Sequence, residues 1–334
     1  VITPGGTGPA PRLADQQDDV RRRVVALACR APSVHNTQPW LWRVSGTRIR
    51  LWADRSRQLS ASDPQGRNLL ISVGAALHHA TVAAAALGRS ARVTRFPSPR
   101  DPDLVAEIDL AEARVPFAEE LELAAAIERR RTDRRRFTSW PVPPERLAAL
   151  AAAAERPGTR VLPVDDPGAR AVVERLVARA IEAEDEDPLL REEQRRWIAH
   201  GPDDGIPLSS LPAHERATER PDRFDRDGAY DLNSFSVDVS DAVLALCTET
   251  DDAAAWLDAG EALSAVWLRA TVGGLSVVPL SQVVEVTETR AALQLDVLAG
   301  SGVPQLMLRI GWQEVYRPEL PPTPRRSLDE VMKR

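Results

Sequence analysis

The sequence predicts an α+β chain made of two similar units in tandem. Three observations carry that prediction. The chain has 334 residues, about two domains' worth at roughly 150 residues each. Helical and strand-like segments alternate along it. Residues 74–93 (GAALHHATVAAAALGRSARV) are similar to residues 260–279 (GEALSAVWLRATVGGLSVVP): in both, Gly, Ala and Leu lead a helix that runs to a Gly and then a strand. Two such units in one chain can pack as a homodimer packs, around a pseudo-two-fold axis. Apolar residues make up 43% of the chain, ample for a sizeable core.

The elements follow in order. Residues 1–13 hold Pro and Gly and read as a disordered tail. A first helix spans about Asp15 to Cys29, with Val20, Val24, Leu27 and Ala28 on one side, and stops before Pro32. After a Pro-flanked loop come strands at Trp40–Val44 and Arg48–Trp52, turned at Gly46. Gly66 to Leu87 reads as a long buried helix closed by Gly88. Strands at Ala91–Phe96 and Leu104–Leu110 complete a first half, residues 14–115. The second half, 116–334, opens with a helix from Phe117 to Arg130. Pro143 and Pro144 then start another, Glu145–Glu155. A strand at Arg160–Pro163 and a helix at Gly168–Glu184 follow. Residues 200–235 are rich in Pro, Asp, Gly, Ser and Arg and show no period, the pattern of a lid or a disordered insert. Beyond them are a strand at Val243–Cys247, a helix at Ala253–Val272, a strand at Ser276–Val278, a helix near Arg290–Leu298 and a strand at Gln305–Ile310.

Composition excludes several functions. The net charge is -6, against the basic balance of a general nucleic-acid binder. Lys333 is the only lysine, so a P-loop lysine and a Schiff-base lysine are ruled out. Cys29 and Cys247 are far apart in apolar runs and read as buried thiols, not as a disulfide, zinc site or redox pair. No uninterrupted apolar run reaches the ~18 residues of a membrane helix. Arg21, Arg22 and Arg23 precede a run too short for an export signal, so a cytoplasmic location is expected. There is no GxSxG elbow, no HExxH and no metal-ligand cluster in the sequence. His78 and His79 lie inside the long helix and read as core or interface residues; His35 lies in a polar loop, where a structural role is the first reading.

Three segments carry chemistry. The loop Pro32-Ser33-Val34-His35-Asn36-Thr37-Gln38-Pro39 offers donors and acceptors on a rigid backbone, suited to the polar edge of a heterocycle, though a well-formed turn before a strand is the plain alternative. Residues 129–136 hold six arginines in eight positions. Guanidinium forks fit phosphate oxygens, and Thr132 adds a hydroxyl; a solvated helix end and a nucleic-acid patch are the alternatives, the second disfavoured by the acidic balance elsewhere. Arg325 and Arg326 form a third basic element, which alone would read as surface decoration.

Taken in order, APSVHNTQPWLWRV, IERRRTDRRRFTSWPVP, WLDAGEAL…LRATVGGLSVVPLSQ, PQLMLRIG and TPRRSLDEV resemble the FMN-dependent nitroreductase superfamily, and within it the Acg-like subgroup with two nitroreductase-type units per chain. The resemblance implies mostly antiparallel sheets flanked by helices, with the tandem units packed as an intramolecular pseudo-dimer. It implies FMN as cofactor, NAD(P)H as reductant and a small organic electron acceptor such as a quinone or nitroaromatic. A lidded flavin-binding or flavin-storing protein is the second reading, because the Acg-like insert lies over the flavin. By the resemblance, Arg130, Arg131, Thr132 and Arg134 face the FMN phosphate and ribityl chain, and Arg325, then Arg326, reach the phosphate from the C-terminus. Pro279, Leu280, Ser281 and Gln282 occupy the segment that presents backbone amides to flavin N5. Pro32, Ser33, Asn36 and Gln38 lie along the flavin. Removing Arg131 is expected to weaken FMN about ten- to a hundred-fold.

The halves are unequal. The first has the Ser/Asn loop and no Arg segment. The second has the Arg segment, but where the loop should stand it reads Glu155-Arg156-Pro157-Gly158-Thr159. One loop and one Arg segment make one composite site, so one FMN per chain is expected. The tandem halves replace a homodimer internally, so the chain is expected as a monomer or a further homodimer, without nucleic-acid or membrane partners.

Overall fold

The computed structural model describes residues 13–198, 200–208 and 242–333. The expected tail, but for its last residue, and most of the expected lid therefore lie outside the described residues. The N-terminal half contains α1 (Leu13–Ala28), β1 (Trp40–Ser45), β2 (Arg48–Ala53), α2 (Arg67–Ala86), β3 (Arg89–Arg95) and β4 (Leu104–Ala113). The C-terminal half contains α3 (Ala118–Arg129), α4 (Pro144–Ala153), β5 (Thr159–Pro163), α5 (Pro167–Glu186), α6 (Pro188–Trp197), β6 (Ala242–Thr248), α7 (Ala253–Val272), β7 (Ser276–Leu280), α8 (Gln282–Glu285), α9 (Thr287–Ala292), β8 (Val303–Gly311) and α10 (Leu328–Val331).

Each half builds one four-stranded antiparallel sheet, and the two have the same topology. The orders are β1-β2-β4-β3 and β5-β6-β8-β7. In chain order within each half, both run first, second, fourth, third. This is the α+β tandem architecture that the repeat predicts. β6 is buried along its whole length, as its unbroken Ala-Val-Leu-Ala-Leu-Cys-Thr run requires.

The halves join through α2 and α7, the two helices of the repeat. Gly74 of α2 and Gly260 of α7 meet at the crossing. A Cβ on Gly74 would run into the carbonyl of Leu257, and one on Gly260 into the carbonyl of Ile71. These contacts are reciprocal under the repeat, which also pairs Ile71 with Leu257. Small residues are there because only a hydrogen lets the backbones approach. By length and composition α2 could cross a membrane, but most of it is buried inside the protein.

Two differences from the sequence reading matter for the site. The stretch after Glu184 is not a simple connection. Asp187 caps a separate helix, α6, by accepting from Leu189 N at 2.8 Å, and Pro188 fixes its first turn. The helix expected near Arg290–Leu298 begins earlier, as α8 and α9, and ends in a π turn at Leu293–Val297. The C-terminal residues also leave their own half. Lys333 N donates to Trp42 O at 2.7 Å, and Val331 is buried in the N-terminal core with Trp40 and Trp42. The strap that carries Arg325 is thereby fastened across the first half.

Candidate functional site

A cleft lies at the junction of the halves; the empty space in and before it, open solvent included, is about 1120 Å³. Its walls come from several places along the chain. The loop after α1 supplies Pro32 to Asn36, and α2 supplies Asn68, Ile71 and Ser72. The segment after α3 supplies Arg130, Thr132 and Arg134. α7 supplies Leu263 and Trp267, and the β7–α8 junction supplies Pro279, Ser281 and Gln282. The C-terminal strap adds Thr323 and Arg325.

The loop is held in a costly shape. His35, Asn36 and Gln38 all have positive φ, at 45°, 55° and 50°. Asn tolerates this region; for the other two it costs of order 1 kcal/mol or more. Hydrogen bonds from four directions hold it there. Ser33 Oγ accepts from Gln38 N at 3.0 Å, and Ser72 Oγ accepts from Val34 N at 3.1 Å. Asn36 Nδ2 donates to Pro324 O at 3.2 Å and to Gly205 O at 3.0 Å. Arg325 Nη1 donates to Asn36 Oδ1 at 3.0 Å. Loop, strap and the start of the 200–208 segment are thus one hydrogen-bonded unit.

The cleft is also cationic: Arg130, Arg134 and Arg325 line it with no carboxylate partner among the described residues. Arg130 is 5% exposed and lies over the Trp267 ring at 4.6 Å, with Nη2 donating to Arg30 O at 3.4 Å. Its Nε and Nη1 are buried without a partner, as is Arg325 Nε. Arg134 makes no side-chain hydrogen bond or ion pair among the described residues. Burial, then the neighbouring Arg325, Arg131 and Arg30, push the Arg130 guanidinium well below its usual range. Burial alone pulls Arg134 down to about 10, and burial with Arg30 pulls Arg325 to the same value. Buried cations without carboxylates are costly. Together with orphaned buried donors on two residues that line the cleft, they describe a site for an anion. Burial, with Arg134 adding, holds the His35 imidazole down to about 4, so it faces the cleft uncharged.

Four of the sequence-selected residues do not line the cleft. Gln38 is fully buried and accepts from Arg326 N at 2.9 Å while donating to Asp203 O at 2.8 Å. It braces the loop. Arg326 turns to Gln38 O and Glu330 O. Leu280 belongs to the core under β7. Arg131 points away, donating to Glu128 O at 2.7 Å, Arg130 O at 2.8 Å and Leu320 O at 3.3 Å. The loss expected of its removal therefore transfers to Arg130. Conversely, Asn68, Ser72, Gln194, Leu263 and Trp267 escaped the sequence reading. Asn68 and Ser72, polar residues one turn apart in the mostly apolar first half of α2, were the available signal.

The register of the repeat sets a second place beside this one, and it is filled. There Arg95 stands where the cleft has Ser281, and Asp258 where it has Ser72. Arg95 grips Glu261 with two bonds, 2.7 and 2.9 Å, and Arg156 adds a third at 2.6 Å. Asp258 lies 3.6 Å from Arg95. Arg156 belongs to the stretch that replaces the Ser/Asn loop.

The chain was compared with known proteins. No family model matches it. It is 41% identical over 331 residues to "Putative NAD(P)H nitroreductase Rv3131" of Mycobacterium tuberculosis, covering 98% of this chain and 95% of that one. It is 35% identical over 325 residues to "Putative NAD(P)H nitroreductase acg" of the same organism, covering 94% and 95%. Among solved structures, a "putative nitroreductase" of Anabaena variabilis matches the fold with a TM-score of 0.54 and 10% identity, over 92% of this chain and 90% of that one. Full-length identity at this level, on a tandem fold with its cleft between the halves, settles the kinship: the chain belongs to the nitroreductase superfamily, alongside Acg and Rv3131.

Proposed function

We propose that the chain is an FMN-dependent oxidoreductase that holds one FMN in the cleft and passes electrons from NAD(P)H to a small organic acceptor. The observation that carries this is the set Arg130, Arg134 and Arg325: Arg130 and Arg325 leave buried donors unpaired, and none of the three has a carboxylate partner among the described residues. A phosphate dianion supplies the missing acceptors, each charge-assisted bond contributing about 1.5–3 kcal/mol. Bound FMN supplies the redox chemistry, accepting a hydride and passing it on. The protein's part is to bind and orient. Arg130 and Arg325 would hold the phosphate, with Thr132 adding its hydroxyl. Arg134 would stabilise negative charge on the bound ring. Leu263, Trp267 and Ile71 would offer it apolar contact, and Ser33, Asn36 and Ser281 polar contact. The ion cluster around Glu261 supports a single site per chain, because its counterpart position is taken by side chains.

The test is the visible spectrum of the purified protein with a flavin-to-chain ratio, before and after anaerobic NADPH or NADH. A ratio near one and prompt bleaching are expected. A colourless protein that takes up no added FMN overturns the proposal, and a ratio near two overturns the single site.

A second reading, a lidded flavin-binding protein with little turnover, is favoured by one feature. Residues 203–206 are pinned across the loop: Asp204 pairs with Arg57, and Asp203 O and Gly205 O accept from Gln38 and Asn36. Ile206 and Pro207 then form part of the cleft wall. Deleting the insert would raise turnover if this reading holds; a protein bleached by dithionite but not by NADPH would favour it.

A further inference from the structure

One side chain on the cleft wall has no task in holding a phosphate. His35 lines the cleft from the loop after α1, and its Nδ1 is buried without a hydrogen-bond partner. Nε2 is the ring nitrogen left to face the cleft. The backbone of His35 is kept at φ 45° by bonds on either side of it: Ser72 Oγ accepts from Val34 N at 3.1 Å, and Ser33 Oγ from Gln38 N at 3.0 Å. A costly conformation that sets a polar ring against a cleft points to a ligand.

The two ends of the loop have different neighbours. At Arg30 and Ala31 it meets the arginines. Arg130 Nη2 donates to Arg30 O at 3.4 Å, and Arg325 Nη2 donates to Arg30 O and Ala31 O, both at 3.1 Å. At Val34–Asn36 it packs against α6, which brings Gln194 to the cleft. Asn36 reaches back to Arg325; His35 has no such bond. The charged groups that face His35 are Arg134, after α3, and Glu193, on α6. Glu193 is occupied elsewhere. It accepts from Ala61 N at 3.0 Å, Ser62 N at 2.9 Å, and the hydroxyls of Ser60 and Ser62 at 3.3 and 2.9 Å.

These partners decide what the ring can do. In a histidine that works as a base, a carboxylate or carbonyl holds the proton on Nδ1 and frees the Nε2 lone pair. At His35 a proton on Nδ1 would be a buried donor with no acceptor. The tautomer with its proton on Nε2 buries only a lone pair and offers an N–H to the cleft. With a cation facing it and Glu193 engaged by other donors, the ring stays neutral.

We propose that the Nε2–H of neutral His35 binds the carbonyl oxygen of an electron acceptor of the quinone class. This rests on the oxidoreductase reading. A quinone that takes up a hydride gains two electrons and one proton, and one oxygen is left anionic. The bond from Nε2 strengthens as that charge forms, so it favours the transition state over the free quinone. His35 keeps its proton throughout. The second O–H bond of the hydroquinone is completed by a proton from water.

The test has two readouts. The first is nitrogen NMR of FMN-loaded, oxidised protein labelled at its five histidines, titrated with duroquinone, which cannot turn over without a reductant. The His35 signal is identified by its loss in His35→Asn or His35→Gln. It is expected to be neutral with the proton on Nε2 from about pH 5 to about pH 8, and to shift with duroquinone. The second is rapid mixing, in which flavin reduced with dithionite is reoxidised anaerobically by duroquinone. Asn tolerates the positive φ but is too short to reach the place of Nε2. His35→Asn is therefore expected to lower the rate about a hundredfold with FMN affinity unchanged. His35→Gln, whose amide nitrogen reaches farther, is expected to restore most of it. The wild-type rate should be flat over the same pH range, where a general acid would fade.

A proton on Nδ1 overturns the proposal. So does a signal that moves with FMN but not with duroquinone, which gives the donor to the cofactor, and so does wild-type reoxidation in His35→Asn, which makes the ring a brace for the loop. If His35→Asn fails to fold, the wild-type NMR titration decides. Dithionite makes the result independent of NAD(P)H, so failure of the oxidoreductase reading shows separately as flavin that pyridine nucleotide never bleaches.

Discussion

The cleft and its filled counterpart occupy equivalent positions of one repeat, yet their charges are arranged in opposite ways. In the cleft the corresponding side chains are small and neutral, Ser72 and Ser281, and the arginines that enter it find no acid. In the counterpart those positions are Asp258 and Arg95, and Glu261, 2% exposed, is bonded by two guanidiniums. A pocket persists where a buried charge is left without its partner, because an anion can then complete it. Where partners are present, the same backbone closes on itself. The difference lies in a handful of side chains and not in the fold, since both sheets share one topology.

Exchanging the charges tests this contrast. The largest effect is expected of Arg130→Ala, which removes two orphaned donors from the cleft. FMN affinity should fall about a hundredfold, or roughly 2.7 kcal/mol, measured by titrating FMN into flavin-stripped protein. Stability of the flavin-free protein should stay within about 1 kcal/mol, because relief of the buried charge offsets lost packing on Trp267. A large loss of stability with unchanged FMN affinity would reverse the assignment. The counterpart should respond the other way. Glu261→Ala takes the acceptor from Arg156 and leaves Arg95 with Asp258 at 3.6 Å, and their side chains, 25% and 37% exposed, can rehydrate. The loss is therefore about 2 kcal/mol in denaturant unfolding, below the 3–5 kcal/mol of a fully buried pair. The flavin-to-chain ratio should remain near one; a rise would mean that the ion cluster alone closes a second site.

A pair of acids in the C-terminal half, buried Glu184 near the end of α5 and Glu285 at the end of α8, sharpens the contrast through pH. Burial raises Glu184 and Glu285, so between the ordinary carboxylate range and their folded values the native state binds more protons than the unfolded chain. Stability from this source is full below the unfolded values and is lost as pH rises through the folded ones, by at most about 1.4 kcal/mol per pH unit for each retained proton. Glu184→Gln should flatten that slope in unfolding curves taken from acid to mildly alkaline pH. An equal slope in variant and wild type would mean that the pair is ionised throughout.

Much of this was legible in the sequence. The repeat fixed the tandem topology because Gly74 and Gly260 must both be small where α2 crosses α7. The loop at Pro32 and the arginines after α3 were visible as types of residue with one use in common. Direction was not visible. Arg130 is the cap that follows α3, with φ -54° and ψ 130°, and Arg131 lies beyond the helix; in such extended backbone adjacent side chains point to opposite sides. Composition cannot say which one enters the cleft. Residues 188–197 were passed over because α6 has almost no apolar face, although Asp187-Pro188 is a strong helix start. That helix brings Glu193 to cap Ala61 and Ser62 at 3.0 and 2.9 Å and Gln194 to the cleft. Asn68 and Ser72 were hidden by the apolar residues around them.

Arg131 gives the smallest expected effect and the finest test of direction. Its guanidinium is spent on Glu128 O, Arg130 O and Leu320 O, all backbone acceptors outside the cleft. It reaches the site only as a like charge that burdens Arg130 and Arg325. Arg131→Ala therefore removes some favourable long-range attraction for a phosphate, and also some of the repulsion that Arg130 suffers. The two partly cancel, leaving a change in FMN affinity of about threefold or less, under roughly 0.7 kcal/mol. Titrated beside Arg130→Ala, the variant separates two adjacent arginines that charge alone would treat as equals. Equal losses would show that the cleft binds its anion through the net charge of the segment; a thirtyfold or greater gap would show that it does so through the aim of one side chain.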